Sequence, residues 1–170
     1  THITGSVRAL CAAAQDAAQK LGFQCRMLTD CLDCEAREAG RFLASIARSH
    51  QQTERPLAFF AGGETVVHLT GQGLGGRNQE LALAAAPGLR GTQNTAVCSF
   101  GSDGTDGPTD AAGGFVDQSS DAALRAAGLD VPQVLAENDA YHALQKIGGL
   151  LMTGPTGTNV NDLAMVLIWR

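Results

Sequence analysis

Residues 59–80 read FFAGGETVVHLTGQGLGGRNQE, and the order of residue types in this stretch sets the fold. An apolar run enters Gly62-Gly63, an alternating run from Val66 to Leu69 follows, and residues 71–76 hold four glycines before Arg77, Asn78, Gln79 and Glu80. This is the order strand, turn, strand, glycine loop, helix start, and so short a turn predicts an antiparallel hairpin between Leu57–Phe60 and Thr65–Leu69. Glycine permits φ > 0 and leaves main-chain N–H groups open to close approach, so a glycine-dense loop that opens a helix is a candidate anion site, with Gly73, Gly75 and Gly76 as its ligand-side glycines. Arg77 adds a planar five-donor fork suited to carboxylate or phosphate, Asn78 both donates and accepts, and Glu80 can take a proton or orient the arginine. A tight β-to-α connection with a solvated helix start is the plainer account of the glycines; the arginine and asparagine beside them favour a site.

Outward from this stretch, helical and strand patterns alternate. Val7, Leu10, Cys11, Ala14, Ala18 and Leu21 recur at helical spacing before Gly22, Phe23–Leu28 reads as a short strand, and Glu35–His50 carries Ala39, Phe42, Leu43, Ile46 and Ala47 on one face. The helix opened by Asn78 ends at Pro87-Gly88, and Thr95–Phe100 reads as a buried strand. Ser120–Ala127 and Asn138–Ile147 follow as helices, the second with Asn138 as its cap, and Leu150–Met152 and Leu163–Trp169 close the pattern. The fold class is α/β, a mixed β-sheet flanked by helices with an Ala, Leu and Val core, and no internal repeat.

Two further loops carry chemistry. The segment 99–117, SFGSDGTDGPTDAAGGFVD, spills from a strand into Asp103, Asp106 and Asp110 interleaved with Gly101, Gly104 and Gly107. Carboxylates on a turn after a strand suit Mg²⁺ held through water and substrate phosphates, and Asp103 and Asp106 are the candidate metal ligands; Asp-Gly turns closed by their own side chains are the alternative. The segment 153–161, TGPTGTNVN, brings hydroxyls at Thr153, Thr156 and Thr158 beside two glycines. Loops that border strands gather at one edge of an α/β sheet, so a half-site for a phosphorylated or carboxylated small molecule is expected there. Residues 71–76 formally match G-x-G-x-x-G, but the preceding run reads as a hairpin's return arm, and polar residues stand where a dinucleotide fold packs small apolar ones. His2, His50, His68 and His142 are isolated in sequence, so spacing builds no nucleophile–base pair.

With 170 residues the chain suits one domain that buries about two-thirds of its unfolded surface. A net charge of -5 with only 12 Lys plus Arg argues against a nucleic-acid or anionic-membrane surface. No apolar run approaches the roughly 18 residues of a membrane span, residues 1–21 lack a signal-peptide pattern, and a cytoplasmic location is expected. The chain opens on Thr1, which leaves room for a longer parent. Five cysteines form no even framework; Cys31-Leu-Asp-Cys34 reads as two free thiols or, less simply, as a redox dithiol.

In order and spacing, GGETVVHLTGQGLGGRNQELAL, SFGSDGTDGPTDAAGG and ENDAYHAL followed by TGPTGTNVNDL resemble the signature segments of the MOFRL domain, the C-terminal part of type-2 glycerate kinases, a family often labelled hydroxypyruvate reductase. The resemblance implies a single MOFRL-type α/β domain over residues 1–170, with a leading helix-strand-helix segment at 1–55 and the signature core at 56–170. It further implies phosphorylation of D-glycerate to phosphoglycerate with ATP and Mg²⁺, in a cleft shared with an N-terminal kinase domain that this chain lacks. Arg77 would face the cleft and stabilise the transferred phosphoryl group, with Asn78 and Glu80 orienting it. Asp103, Gly104 and Asp106 match the glycine-rich loop, and Thr156, Thr158 and Asn159 match the last loop. Ser102 stands where the family favours Thr, and Ala140 where Ser commonly follows Asn-Asp. Half a cleft should lose nearly all phosphoryl transfer, so the chain alone is expected to be inert. An NAD(P)-dependent hydroxypyruvate reductase and a free-standing binding module with an apolar docking face are the alternatives, and a homodimer is left open.

Overall fold

The computed structural model describes residues 6–170, which leaves His2 outside the described residues. Its centre is a six-stranded mixed sheet of β1 (Gln24–Leu32), β2 (Leu57–Gly63), β3 (Thr95–Gly101), β4 (Gly113–Asp117), β5 (Leu150–Leu151) and β6 (Asp162–Ile168), in the spatial order β1-β2-β6-β3-β4-β5. β1 and β2 run parallel, joined by α2 (Ala36–Ser49) as a βαβ unit, and the remaining neighbours are antiparallel.

β2 explains its own position. All seven of its residues are buried, with Leu57, Phe59 and Ala61 in the main core and Ala58 and Phe60 in a second core on the opposite face. A strand buried on both faces reads as a continuous apolar run, which is how Leu57–Phe60 reads. The main core packs α2, α3 (Arg77–Ala85), α5 (Val131–Ala136) and α6 (Ala140–Lys146) against the sheet through Leu43, Leu81, Leu83, Leu135 and Leu144. α1 (Val7–Lys20) covers the other face with Cys11 and Ala18, its start capped by the Ser6 hydroxyl, which accepts from the Ala9 N–H at 3.2 Å. α2 approaches α3 so closely at Gly40 that an added Cβ would collide with the Leu81 carbonyl. A 3₁₀ turn at Ala86–Leu89 and α4 (Ser120–Ala126) complete the layer.

The expected hairpin does not form. β6 occupies the free edge of β2, so a return arm has nowhere to pair, and the chain runs on beyond Gly63 alongside the β1–α2 connection. There Glu64 N–H donates to the Leu32 carbonyl, Val66 N–H to Cys34, and Ala36 N–H to Val66, at 2.7, 3.1 and 2.9 Å. The first strand runs to Leu32 rather than Leu28, which places Cys31 inside it and Cys34 just past its end, both exposed free thiols. β4 and α5 form where no strand or helix was expected. Gly113 and Gly114 belong to β4 because an added Cβ would strike the Ser99 carbonyl and the Leu144 side chain. Asn138 does not cap α6; it takes a left-handed φ of 53° and turns its amide into the interior.

Candidate functional site

Strand directions bring the chemistry to one end of the sheet. Gly63, Asp162 and Gly101 lie side by side in the register of β2, β6 and β3, so the loops 64–76, 102–112 and 152–161 emerge together. The middle loop is stitched to the last one: Ser102 N–H donates to the Asn161 carbonyl at 3.0 Å, Thr156 N–H to Asp103 at 3.0 Å, and Val160 N–H to the Ser102 hydroxyl at 2.8 Å. Loops 64–76 and 102–112 border an open groove of about 770 Å³, on whose walls stand Glu64, Thr65, Arg77, Asp103, Thr105 and Asp106. Its rim carries the exposed apolar side chains Val66 and Leu69.

Arg77, the first residue of α3, extends into this groove. Its Nε and Nη2 donate to the two oxygens of Asp162 at 2.5 and 3.2 Å, and its Nη1 donates to Glu64 Oε1 at 2.7 Å. The hydrogen bond to Asp162 is the main reason that the guanidinium holds its proton even more firmly than usual. Asn78 and Glu80 do not orient Arg77 as expected, because both side chains point inward and bond elsewhere. Asp162 and Glu64, which sequence reasoning passed over, do the orienting. An acid opening the apolar strand LAMVLI was the available signal for Asp162.

The start of α3 is a filled anion site. Asp106 Oδ1 accepts from the Asn78 N–H and Nδ2, each at 3.1 Å, and Oδ2 accepts from the Gln79 N–H at 2.8 Å. The carboxylate thus takes the seat at the helix N-terminus that the glycine loop was expected to offer to a ligand. Gly76 is glycine because an added Cβ would overlap the Asp106 carboxyl. Burial pushes the Asp106 pKa up to about 6, against the pull of these hydrogen bonds. The Ser99 hydroxyl closes the network by donating to Asn78 Oδ1 at 2.5 Å.

A second inward network fixes the glycine loop. Asn138 Oδ1 accepts from the Thr70 and Gly71 N–H groups at 2.7 and 2.9 Å, and its Nδ2 donates to Glu80 Oε1 at 2.6 Å. Gly73 N–H donates to the Glu137 carbonyl and Leu74 N–H to Asp139 Oδ1, so the turn before α6 clamps residues 70–74. Gly75 and Gly76 remain on the groove wall, whereas Gly73 packs against Asp139. Glu80 is buried, and burial raises its pKa despite the hydrogen bond from Asn138 and the charge of Arg37, whose Nη2 lies 3.8 Å from Glu80 Oε2.

The last loop supports rather than lines the groove. Thr156 and Thr158 donate their hydroxyls to the Ser102 carbonyl at 2.5 and 3.2 Å, and Asn159 Oδ1 accepts from the Asn161 N–H at 3.3 Å. Gly104 is packed against the Gly154 carbonyl. Of the two candidate metal ligands, Asp106 turns both oxygens to the start of α3, whereas Asp103 stands on the groove wall with its Oδ1 accepting from the Thr105 N–H at 3.0 Å. Among the described residues no group of three or more His, Cys, Asp or Glu converges, and no helix is long and apolar enough to cross a membrane.

A mixed sheet with one end shaped into an arginine-bearing groove defines an α/β domain whose polar loops gather at that end. Residues 57–162 match the model of the MOFRL family, and the chain belongs to that family. It is 56% identical over 171 residues to the D-glycerate 2-kinase of Thermotoga maritima, a match that covers 98% of this chain and 41% of that protein. It is 45% identical over 163 residues to a glycerate 2-kinase of Pyrococcus horikoshii, covering 93% of this chain and 37% of that one. An Agrobacterium vitis protein bearing the name hydroxypyruvate reductase is 39% identical over 179 residues, covering 98% and 41%. The crystal structure of the Thermotoga maritima glycerate kinase superposes with a TM-score of 0.94 at 56% identity, over 98% of this chain and 41% of that one. This chain therefore spans about two-fifths of the length of these relatives.

Proposed function

We propose that this chain forms one wall of a glycerate kinase cleft in which a nucleotide donates a phosphoryl group to D-glycerate. The observation that carries this reading is Arg77, held at the lip of a roughly 770 Å³ groove by a bidentate bond to Asp162, in a chain so similar to a D-glycerate 2-kinase. Phosphoryl transfer depends on positioning and on neutralising charge at the equatorial oxygens, which a fixed guanidinium supplies without reorganising. Gly75, Gly76 and Gly107 keep the wall beside Arg77 free of side chains. Asn78, Glu80 and Asp106 act from beneath, by holding α3 and the glycine loop in place. Thr156 and Thr158 act through the middle loop, which they fasten at Ser102, and Asn159 braces the last loop at the Asn161 N–H. Asp103, on the groove wall, would meet through water a Mg²⁺ carried in with the nucleotide.

The match of residues 71–76 to a dinucleotide fingerprint loses its physical support. The helix N-terminus that would hold a dinucleotide pyrophosphate is occupied by Asp106, and thirteen residues of irregular chain, 64–76, separate β2 from α3.

The decisive experiment is reconstitution. The N-terminal three-fifths of the Thermotoga maritima relative, expressed separately and mixed with this chain, should restore ATP-dependent phosphorylation of D-glycerate, and Arg77→Ala should lower turnover by about 100-fold or more. The relative's name makes the 2-hydroxyl the acceptor to assay first. A silent mixture of demonstrably associated pieces would sink the kinase reading.

A further inference from the structure

Arg77 meets two carboxylates in different environments. The edge formed by Nε and Nη2 grips Asp162, whose side chain is only 9% exposed, at the first residue of β6. Nη1 meets Glu64, whose side chain is 53% exposed and stands on the groove wall. Asp162 is absent from that wall and lies on the core side, near Asn78 and Ser99.

We infer that Glu64 is an exchangeable placeholder, which occupies the ligand-facing edge of Arg77 until a phosphate or carboxylate ligand displaces it, whereas Asp162 is the fixed positioning residue of the same arginine. This rests on the reading of Arg77 as the anion receiver. An exposed ion pair contributes little net stability and exchanges readily, while a buried bidentate pair leaves an uncompensated charge if broken, so the two contacts differ in what it takes to open them. Two carboxylates about one guanidinium also leave the site with a net negative charge, and Asp106 adds to the negative field at Arg77. An incoming anion is therefore repelled until Glu64 swings away, and a ligand that cannot accept from the freed Nη1 edge gains nothing by moving it. The contact acts as a selectivity filter for anions that accept two N–H bonds in a plane.

The test is a titration of this chain with inorganic phosphate, followed through the Arg77 Nε–H resonance in ¹H–¹⁵N spectra. Glu64→Gln keeps the shape and removes the charge, and it should bind phosphate roughly 5-fold more tightly than the parent chain, the size expected for one nearby exposed charge. Asp162→Asn should shift or broaden the Arg77 Nε–H resonance and weaken phosphate binding by about tenfold. The double variant should lose the gain of the single Glu64 change. Glu64 is exposed, so its variant tests the inference even if Asp162→Asn fails to fold. If Arg77→Ala abolishes binding and Glu64→Gln matches the parent, the placeholder falls and the arginine stands. If Arg77→Ala binds as the parent does, both fall. Phosphate binding undetected in the parent and in Glu64→Gln alike also overturns the placeholder.

Discussion

Asp106 is 3% exposed, with both carboxylate oxygens accepting from the first turn of α3, and burial outweighs these bonds in setting its pKa near 6. The unfolded chain releases this proton near 3.8, so the folded state binds it more tightly. The resulting stabilisation is complete below about pH 4 and is lost as the pH rises through about 6, an effect of about 3 kcal/mol. Glu80, also raised by burial, adds a contribution of the same sign. Urea unfolding should therefore give a lower stability at pH 7 than at pH 4.5, and Asp106→Asn should remove most of that difference. Asp106→Ala strands two buried N–H groups and should cost about 2 to 4 kcal/mol in the same assay. The sequence displayed an aspartate among glycines, but not which way it turns. Its partners lie 27 and 28 positions earlier, and no local pattern encodes them.

α3 is buried along nearly its whole length, at Asn78 through Ala85, and its neighbours tolerate no added volume. Gly40→Ala would push a methyl into the Leu81 carbonyl and part α2 from α3, and Gly76→Ala would drive Asp106 off the helix start. Each should lower the stability measured by urea unfolding by about 3 kcal/mol or more. At this level the sequence was readable where burial is regular: α1, α2, β2, β3 and β6 lie where apolar period and length put them. It failed where geometry comes from a distant partner. Val66–Leu69 alternates like a strand but makes one bridge, to Glu35, because β6 already holds the edge it would need. No strand was expected at GGFVD, yet it forms β4, where Gly113 admits the Ser99 carbonyl of β3. Of the candidate site, Arg77 and the glycine wall were legible, whereas Asp162 and Glu64 were not, since a counter-ion 85 positions away leaves no mark on the local pattern.

For the molecule as a whole, the groove opens on one side to solvent past Val66 and Leu69, so a ligand bound to this chain alone stays wet and weakly positioned. The isolated chain should unfold in one cooperative transition, yet show no ATP-dependent turnover of D-glycerate in a coupled assay. NADH added to it should show no fluorescence enhancement, because the pyrophosphate seat is filled from within. The sheet order carries a different implication. β6 is the sixth strand made but lies third across the sheet, and among the described residues it is the one strand that pairs with both the β1–β2 half and the β3–β4–β5 half. During synthesis the two halves of the sheet cannot be paired until residues 162–168 have cleared the ribosome, and until then the facing edges of β2 and β3 lack a partner strand. Nascent chains stalled before that point should bind chaperones that released chains no longer need, and refolding should be slow for a domain of this size, since its central seam closes last.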